Sequence, residues 1–435
     1  VVGDEAGTAL TTGDNNVAVG YAALDLEDTG TDSVAIGYNA LTAQNNDAAN
    51  YNTAVGSGAG AAVTTGIQNT LIGGIAGVAL TTGRENVAVG LAALTTEDAG
   101  NYNTAIGARA LQTQNAGTDI YNTAVGYAAG LNVTTGVNNT LIGGLAGDAI
   151  TTGGYNTAVG YLSGSAITTG SGNAFFGLRA GAGTTTGTAN TFVGGSSNSY
   201  AGYANTTGAN NTAVGTDALA ANTTASNNTA VGMDALTAIT TGANNTAVGL
   251  NAGDALIDAD YNVAVGEGAL GADTYGSNST AIGRLALAQQ NFTSATNSEN
   301  TAVGYIAGYS VTTGTNNTLI GMASGDAITT GGTNTAVGTF SLSGNTTAGN
   351  NTAVGYQALL ANTTGYNNLA LGANALDANT TANNNVAVGP NSLTANTIGA
   401  QNVAVGTACM SANTTGSDNI AMGVSALDAN TTGSN

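Results

Sequence analysis

The apolar positions of this chain recur in register. A phrase of the form Asn-x-Ala-aliphatic-Gly returns every 17 residues, as in Asn351-Thr-Ala-Val-Gly355 and Asn368-Leu-Ala-Leu-Gly372. Units counted from that Asn start at 24 places, from residue 16 to residue 419, and 19 of the 23 intervals are 17 residues long. The other four carry extra residues near 43–51, 113–121, 198–206 and 288–299, never inside the phrase, which marks outer loops. Val1-Val2-Gly3 reads as the tail of one more phrase and Asn435 closes the last unit, so the series predicts about 25 coils in one continuous domain, 1–435. Residues 33–102 and 103–172 form a tandem copy of four units.

Each column predicts a structural role. Position 5 is Gly in every unit, which implies a positive φ or a close backbone approach. Position 4 is always apolar (Val19, Ile36, Phe176, Met422), as core residues are. Position 2 is mostly Thr or Val, and position 3 is Ala in 19 of 24 units. Alternation along a strand puts positions 2 and 4 on one face, branched and apolar, and positions 3 and 5 on the other, nearly flat. Where position 9 is Gly, position 12 is usually aliphatic, as in Gly147 with Ile150. Where position 9 is Leu, position 12 is usually polar, as in Leu359 with Asn362. That exchange is volume compensation in a filled interior. Position 1 is Asn in 22 of 24 units, with Ser33 and Ser279 the exceptions, and predicts a hydrogen-bonded ladder.

Seventeen residues without helical periodicity suit one turn of an all-β, parallel β-solenoid, with two or three short strands per coil. Each coil supplies few large apolar side chains for the residues it must order. The flat Ala/Gly face is therefore expected to bury against a partner chain in a homo-oligomer.

Composition narrows the function. The 435 residues include 67 Gly, 25 carboxylates and four arginines, with no Lys, no His and a formal charge of −21. Four scattered arginines make no basic footprint for phosphate, which argues against nucleic acid and anionic membranes. The usual general base, amine nucleophile and imidazole ligand are missing, so no enzyme, no catalytic residue and no cofactor are expected. No apolar run approaches a membrane span, so no membrane insertion is expected. The chain starts "VVGDEAG" without Met and stops in mid-pattern. It reads as a piece of a longer fibre, or as a subunit whose uncapped coils stack end to end.

The core phrase, most clearly "SVAIGYNAL" at 33–41, resembles the head repeats of trimeric autotransporter adhesins, and similar repeats occur in phage tail fibres. The resemblance spans essentially the whole chain. It implies a left-handed parallel β-roll, three chains about one axis, and an extracellular role in surface attachment to a glycan or matrix receptor. It carries over no ligand residue.

Single sites are weaker signals. Asp25, Glu27, Asp28 and Asp32 cluster, as do Asp254, Asp258, Asp260 and Asp273. The second group is a weak Ca²⁺ candidate, although neither has metal-loop spacing, and solvated outer turns are the expected reading. The arginines fall on different coils and read as isolated surface charges. Cys409, in an Ala column, reads as a small buried residue. Asn350 and Asn362 open N-x-Thr sequons. Tyr21, Tyr38, Tyr127, Tyr161, Tyr305 and Tyr356 share position 6 and are expected to pack at an edge, with stacking on sugars the alternative. The expected function is a structural or adhesive extracellular fibre, at a cell surface or on a virion. The alternative is a repetitive binding face, for ice through the Thr columns at positions 13 and 14 or for glycans.

Overall fold

Strands form where β-branched side chains most often flank a small one, as in Thr53-Ala-Val55. In the computed structural model, which describes residues 1–434, positions 2–4 of each unit make a three-residue strand, and no helix occurs among the described residues. Asn435, expected to close the last unit, lies outside the described residues. The chain divides into two compact units, Val1–Thr224 and Ala225–Asn435. The first carries twelve strands, β1 (Val17–Val19) to β12 (Thr212–Val214). The second carries β13 (Thr229–Val231) to β26 (Ile420–Met422), two of which, β16 (Gly276–Ser277) and β18 (Thr296–Asn297), pair with each other beside an insertion.

Within each unit the repeat strands pair in parallel and in strict register. Val17 lies opposite Val34 and Ala18 opposite Ala35; Thr352 lies opposite Leu369 and Val354 opposite Leu371. The architecture is an all-β parallel β-solenoid with a 17-residue coil. Most coils hold one strand rather than the two or three expected; the rest of the circuit is turns. Turn amides still find partners, because they bond across coils. Gly355 N–H donates to Val337 O (2.8 Å), Leu359 N–H to Ala375 O (3.0 Å) and Thr363 N–H to Thr380 O (2.8 Å).

The coil is tight because several residues take left-handed backbone. Position 5 glycines have φ near +130° to +140°, and an added Cβ would sit on the next coil's carbonyl, 2.5 Å from Gly372 O in the case of Gly355. Both reasons for the invariant Gly therefore hold at once. Positions 7, 9 and 17 are also left-handed, as at Gln357 (φ 55°), Leu359 (φ 54°) and Asn367 (φ 57°).

The core corrects one reading. The Ala column at position 3 faces the interior and is fully buried from Ala18 to Ala404, whereas positions 2 and 4 point outward. The flat side is thus the inside of the coil, and the branched side is the exposed one. The interior is narrow, and its remaining volume is filled from positions 9 and 12 as expected: Leu359 and Asn362 are buried in one coil, and Ile150 behind Gly147 in another. A third column joins that exchange. Where position 3 is large, position 9 is Gly in the same coil and the one before. A Cβ at Gly77 would meet Leu71 Cδ2 at 2.8 Å, one at Gly60 would meet Leu71 Cδ1 at 2.7 Å, and one at Gly181 would meet Phe175 Cε2 at 2.6 Å.

Candidate functional site

A position 1 Asn meets three needs at once. Asn317 Nδ2 donates to Asn300 Oδ1 (3.1 Å) and to Gly331 O (3.0 Å), while its own Oδ1 accepts the N–H of Asn334 (3.0 Å). A second buried ladder runs through position 12 near the C-terminus. There Asn362 Nδ2 donates to Asn345 Oδ1 (3.1 Å) and Asn379 Nδ2 to Asn362 Oδ1 (2.8 Å). These amides belong to the architecture and offer nothing to a ligand. The Asn362 sequon is buried in this ladder, while Asn350 is exposed.

The carboxylate clusters do not converge. Asp25 accepts the Thr8 hydroxyl, Asp32 accepts Asn15 Nδ2 (3.1 Å), and Asp258 accepts Thr241 Oγ1 (2.6 Å). Asp260 accepts Ala243 N–H (2.6 Å), and Asp254 is half-buried. Glu27 and Asp273 are not in solvated turns but fully buried. Each collects N–H groups: Glu27 from Gly30 (2.8 Å), Gln44 (3.0 Å) and Asn50 (3.1 Å), Asp273 from Gly276 (3.0 Å), Gln290 (2.6 Å) and Phe292 (3.1 Å). Glu97 does the same with Gly100 and Gln114. Among the described residues no three Asp, Glu, Cys or His side chains stand together as a metal site requires.

The other singled-out residues have plain places. Cys409 is buried, its thiol against Ala421 O (3.4 Å), and burial pushes its pKa up. Three arginines sit beside tyrosine rings rather than alone: Arg84 over Tyr102 (5.8 Å), Arg179 over Tyr200 (5.5 Å) and Arg284 over Tyr305 (5.7 Å). Arg284 also pairs with Glu267 (3.0 Å). The position 6 tyrosines are exposed, and Tyr21 stacks on Tyr38 at 5.4 Å. At position 13 the Thr hydroxyls donate to the next coil's carbonyl, as Thr363 does to Thr380 O (3.0 Å). Thr364 and its equivalents at position 14 remain exposed, which leaves one Thr column rather than two.

The surface that stands out is the one whose sequence pattern resembles core. Positions 2 and 4 form an outward strand face without one charged residue in 24 units. Its larger side chains are well exposed for sheet residues, Ile142 at 39% and Leu371 at 45%. From Val19 to Val193 position 4 alternates in size: Val19, Ile36, Val55, Ile72, Val89, Ile106, Val125, Ile142, Val159, Phe176, Val193. The result is a ridge on every second coil, about 9.6 Å apart at the usual strand spacing. That alternation was visible in the sequence and is the signal that could have marked the face.

No helix among the described residues is long and apolar enough to cross a membrane. No protein-family model matches the chain and no curated protein matches it in sequence, so its own surfaces carry the functional argument.

Proposed function

We propose that this solenoid is a segment of a structural, adhesive extracellular fibre whose chains associate as homotrimers through the outward strand face. The carrying observation is the uncharged face at positions 2 and 4 with its alternation of Val and Ile or Phe. A ridge on every second coil asks for a partner with the same spacing, and another copy of this chain supplies it. An apolar stripe running along successive coils is also larger than single exposed side chains, which need no explanation. The resemblance to adhesin head and tail-fibre repeats adds the expectation of three chains and of surface attachment, on a cell or a virion. Absence of Lys and His fits a scaffold better than a catalyst.

The test is native mass, by mass photometry, of the protein and of an Ile106→Asp, Ile142→Asp double variant. These side chains point away from the coil interior, so coil folding should survive. The parent is expected at three times the 41.7 kDa chain mass and the variant at one. A monomeric parent overturns the reading. One observation favours a second reading: Thr at position 2 stands beside the aliphatic column in regular rows, an arrangement that suits ice. A monomer that also shows thermal hysteresis would select it.

A further inference from the structure

We infer that the second unit carries a binding groove for an uncharged oligosaccharide, beside Tyr309. The groove, of about 600 Å³, runs across four successive coils, from Asn251 to Tyr309. At the usual coil spacing that is about 14 Å, the length of a short oligosaccharide. None of its lining residues occupies position 2 or 4, so it is independent of the strand face proposed for self-association.

Its chemistry is that of hydroxyl recognition. The floor is small and apolar, with Gly268, Gly271 and Ala288 leaving room between coils. Tyr309 is half-buried and forms one wall, its hydroxyl accepting Gln289 Nε2 (3.2 Å), which fixes the ring. A fixed aromatic face suits the C–H face of a sugar ring. Asn251 and Asn291, both exposed, bring amides that can donate and accept together. Asp254 Oδ1 overhangs the floor, 3.2 Å from where a Cβ at Gly271 would lie. Burial raises the pKa of that carboxyl, with Asp234 adding to it, and no cation lines the groove. An acceptor held there without a cation is matched by sugar hydroxyls. A sulfated or phosphorylated chain would meet Asp254 and a molecule of net charge −21.

The companion groove in the first unit serves as a control, because Arg179 lines it beside Tyr203. The experiment is isothermal titration of the full chain with maltohexaose, cellohexaose, mannohexaose and chitohexaose, and with a heparin hexasaccharide. Binding of at least one neutral hexasaccharide is expected, with heparin silent. Tyr309→Ala should weaken it about tenfold, while Tyr203→Ala should leave it unchanged. Matching thermal unfolding curves would show that Tyr309→Ala still folds, and Asn251→Ala, at an exposed site, gives a second loss of affinity. No binding by any neutral hexasaccharide, tighter binding of heparin, or full affinity in Tyr309→Ala would overturn the inference. The mass measurement above does not depend on any of these outcomes.

Discussion

Coils 16–51 and coils 334–434 are built on one circuit but fill position 12 differently. Near the C-terminus position 12 is an Asn ladder that starts at Asn345: Asn362, Asn379, Asn396 and Asn413 each pass an amide N–H to the previous oxygen. An amide both gives and accepts, so such a column continues indefinitely at constant pitch. Near the N-terminus the column holds Glu27 and then Gln44. Glu27 only accepts, and besides Gln44 it takes N–H groups from the insertion, Asn46 N (3.4 Å) and Asn50 Nδ2 (3.1 Å). Gln44 then joins the position 1 ladder, its oxygen accepting Asn52 Nδ2 (2.9 Å). The same pair precedes two other insertions, as Glu97 with Gln114 and Asp273 with Gln290. Three of the four longer coils thus have an acceptor-only group beneath them, which collects N–H donors that the extra residues bring inside. The fourth insertion has Thr184 instead, with Asn205 Nδ2 at 3.4 Å from its hydroxyl.

The largest effect should be blind to this difference. Gly37 and Gly355 have φ near +136° and +138°, and each would place a Cβ 2.5 Å from the next glycine's oxygen. Gly37→Ala and Gly355→Ala should each cost at least about 2 kcal/mol, and by similar amounts. Hydrogen exchange should show both losses spreading to the neighbouring coils. A large inequality would mean that inserted coils relax where regular ones cannot.

Next in size is the contrast at position 12 itself. Glu27→Leu strands several buried donors, each worth about 1–3 kcal/mol when unpaired. Asn362→Leu strands the Asn345 oxygen and one N–H of Asn379, while Gly365 O keeps Asn351 Nδ2. Glu27→Leu should therefore destabilise more, with fast amide exchange confined to 44–50. Asn362→Leu should open both adjacent coils without a focus. Equal losses with the same exchange pattern would break the comparison.

Most of this frame was legible in the sequence because it depends on period. A column of Gly, a column of Asn and the exchange between positions 9 and 12 follow from residue identity at fixed spacing. The side that faces inward was not legible. Alternation gives the parity of Ala353 and Val354 but not which one is inside. Physical width decides it: Leu359 crosses the narrow interior and leaves room only for Ala opposite. Buried carboxylates were missed for a related reason. Glu27 and Asp273 fall in acidic clusters that read as solvent-facing, and only the coil geometry separates them from Asp25 or Asp258. Ser33 and Ser279, the two breaks in the Asn column, were the clue. Each shortens position 1 where a Gln at position 12 reaches across to its hydroxyl, Gln44 at 2.9 Å and Gln290 at 2.8 Å.

The smallest effect tests the rule from its opposite case. Asp148 is a half-buried carboxylate in a regular coil, and its Oδ1 has no hydrogen-bond partner. Burial raises its pKa above the ordinary 3.8. A carboxyl raised in the folded state favours folding most when protonated, so its contribution is present below about pH 3.8 and is lost as pH rises through the folded value. Glu27, by contrast, holds N–H donors on both carboxylate oxygens. Asp148→Asn should therefore raise the melting temperature by a degree or so near neutral pH, with the gain vanishing as pH falls below about 3.8. Glu27→Gln should lower the melting temperature at neutral pH, because it puts an N–H where the loop already supplies N–H groups. Melting curves of both variants at pH 7 and pH 3.5 check the pair. If Asp148→Asn also destabilises at pH 7, burial alone does not distinguish the two carboxylates, and the account of how insertions are anchored fails with it.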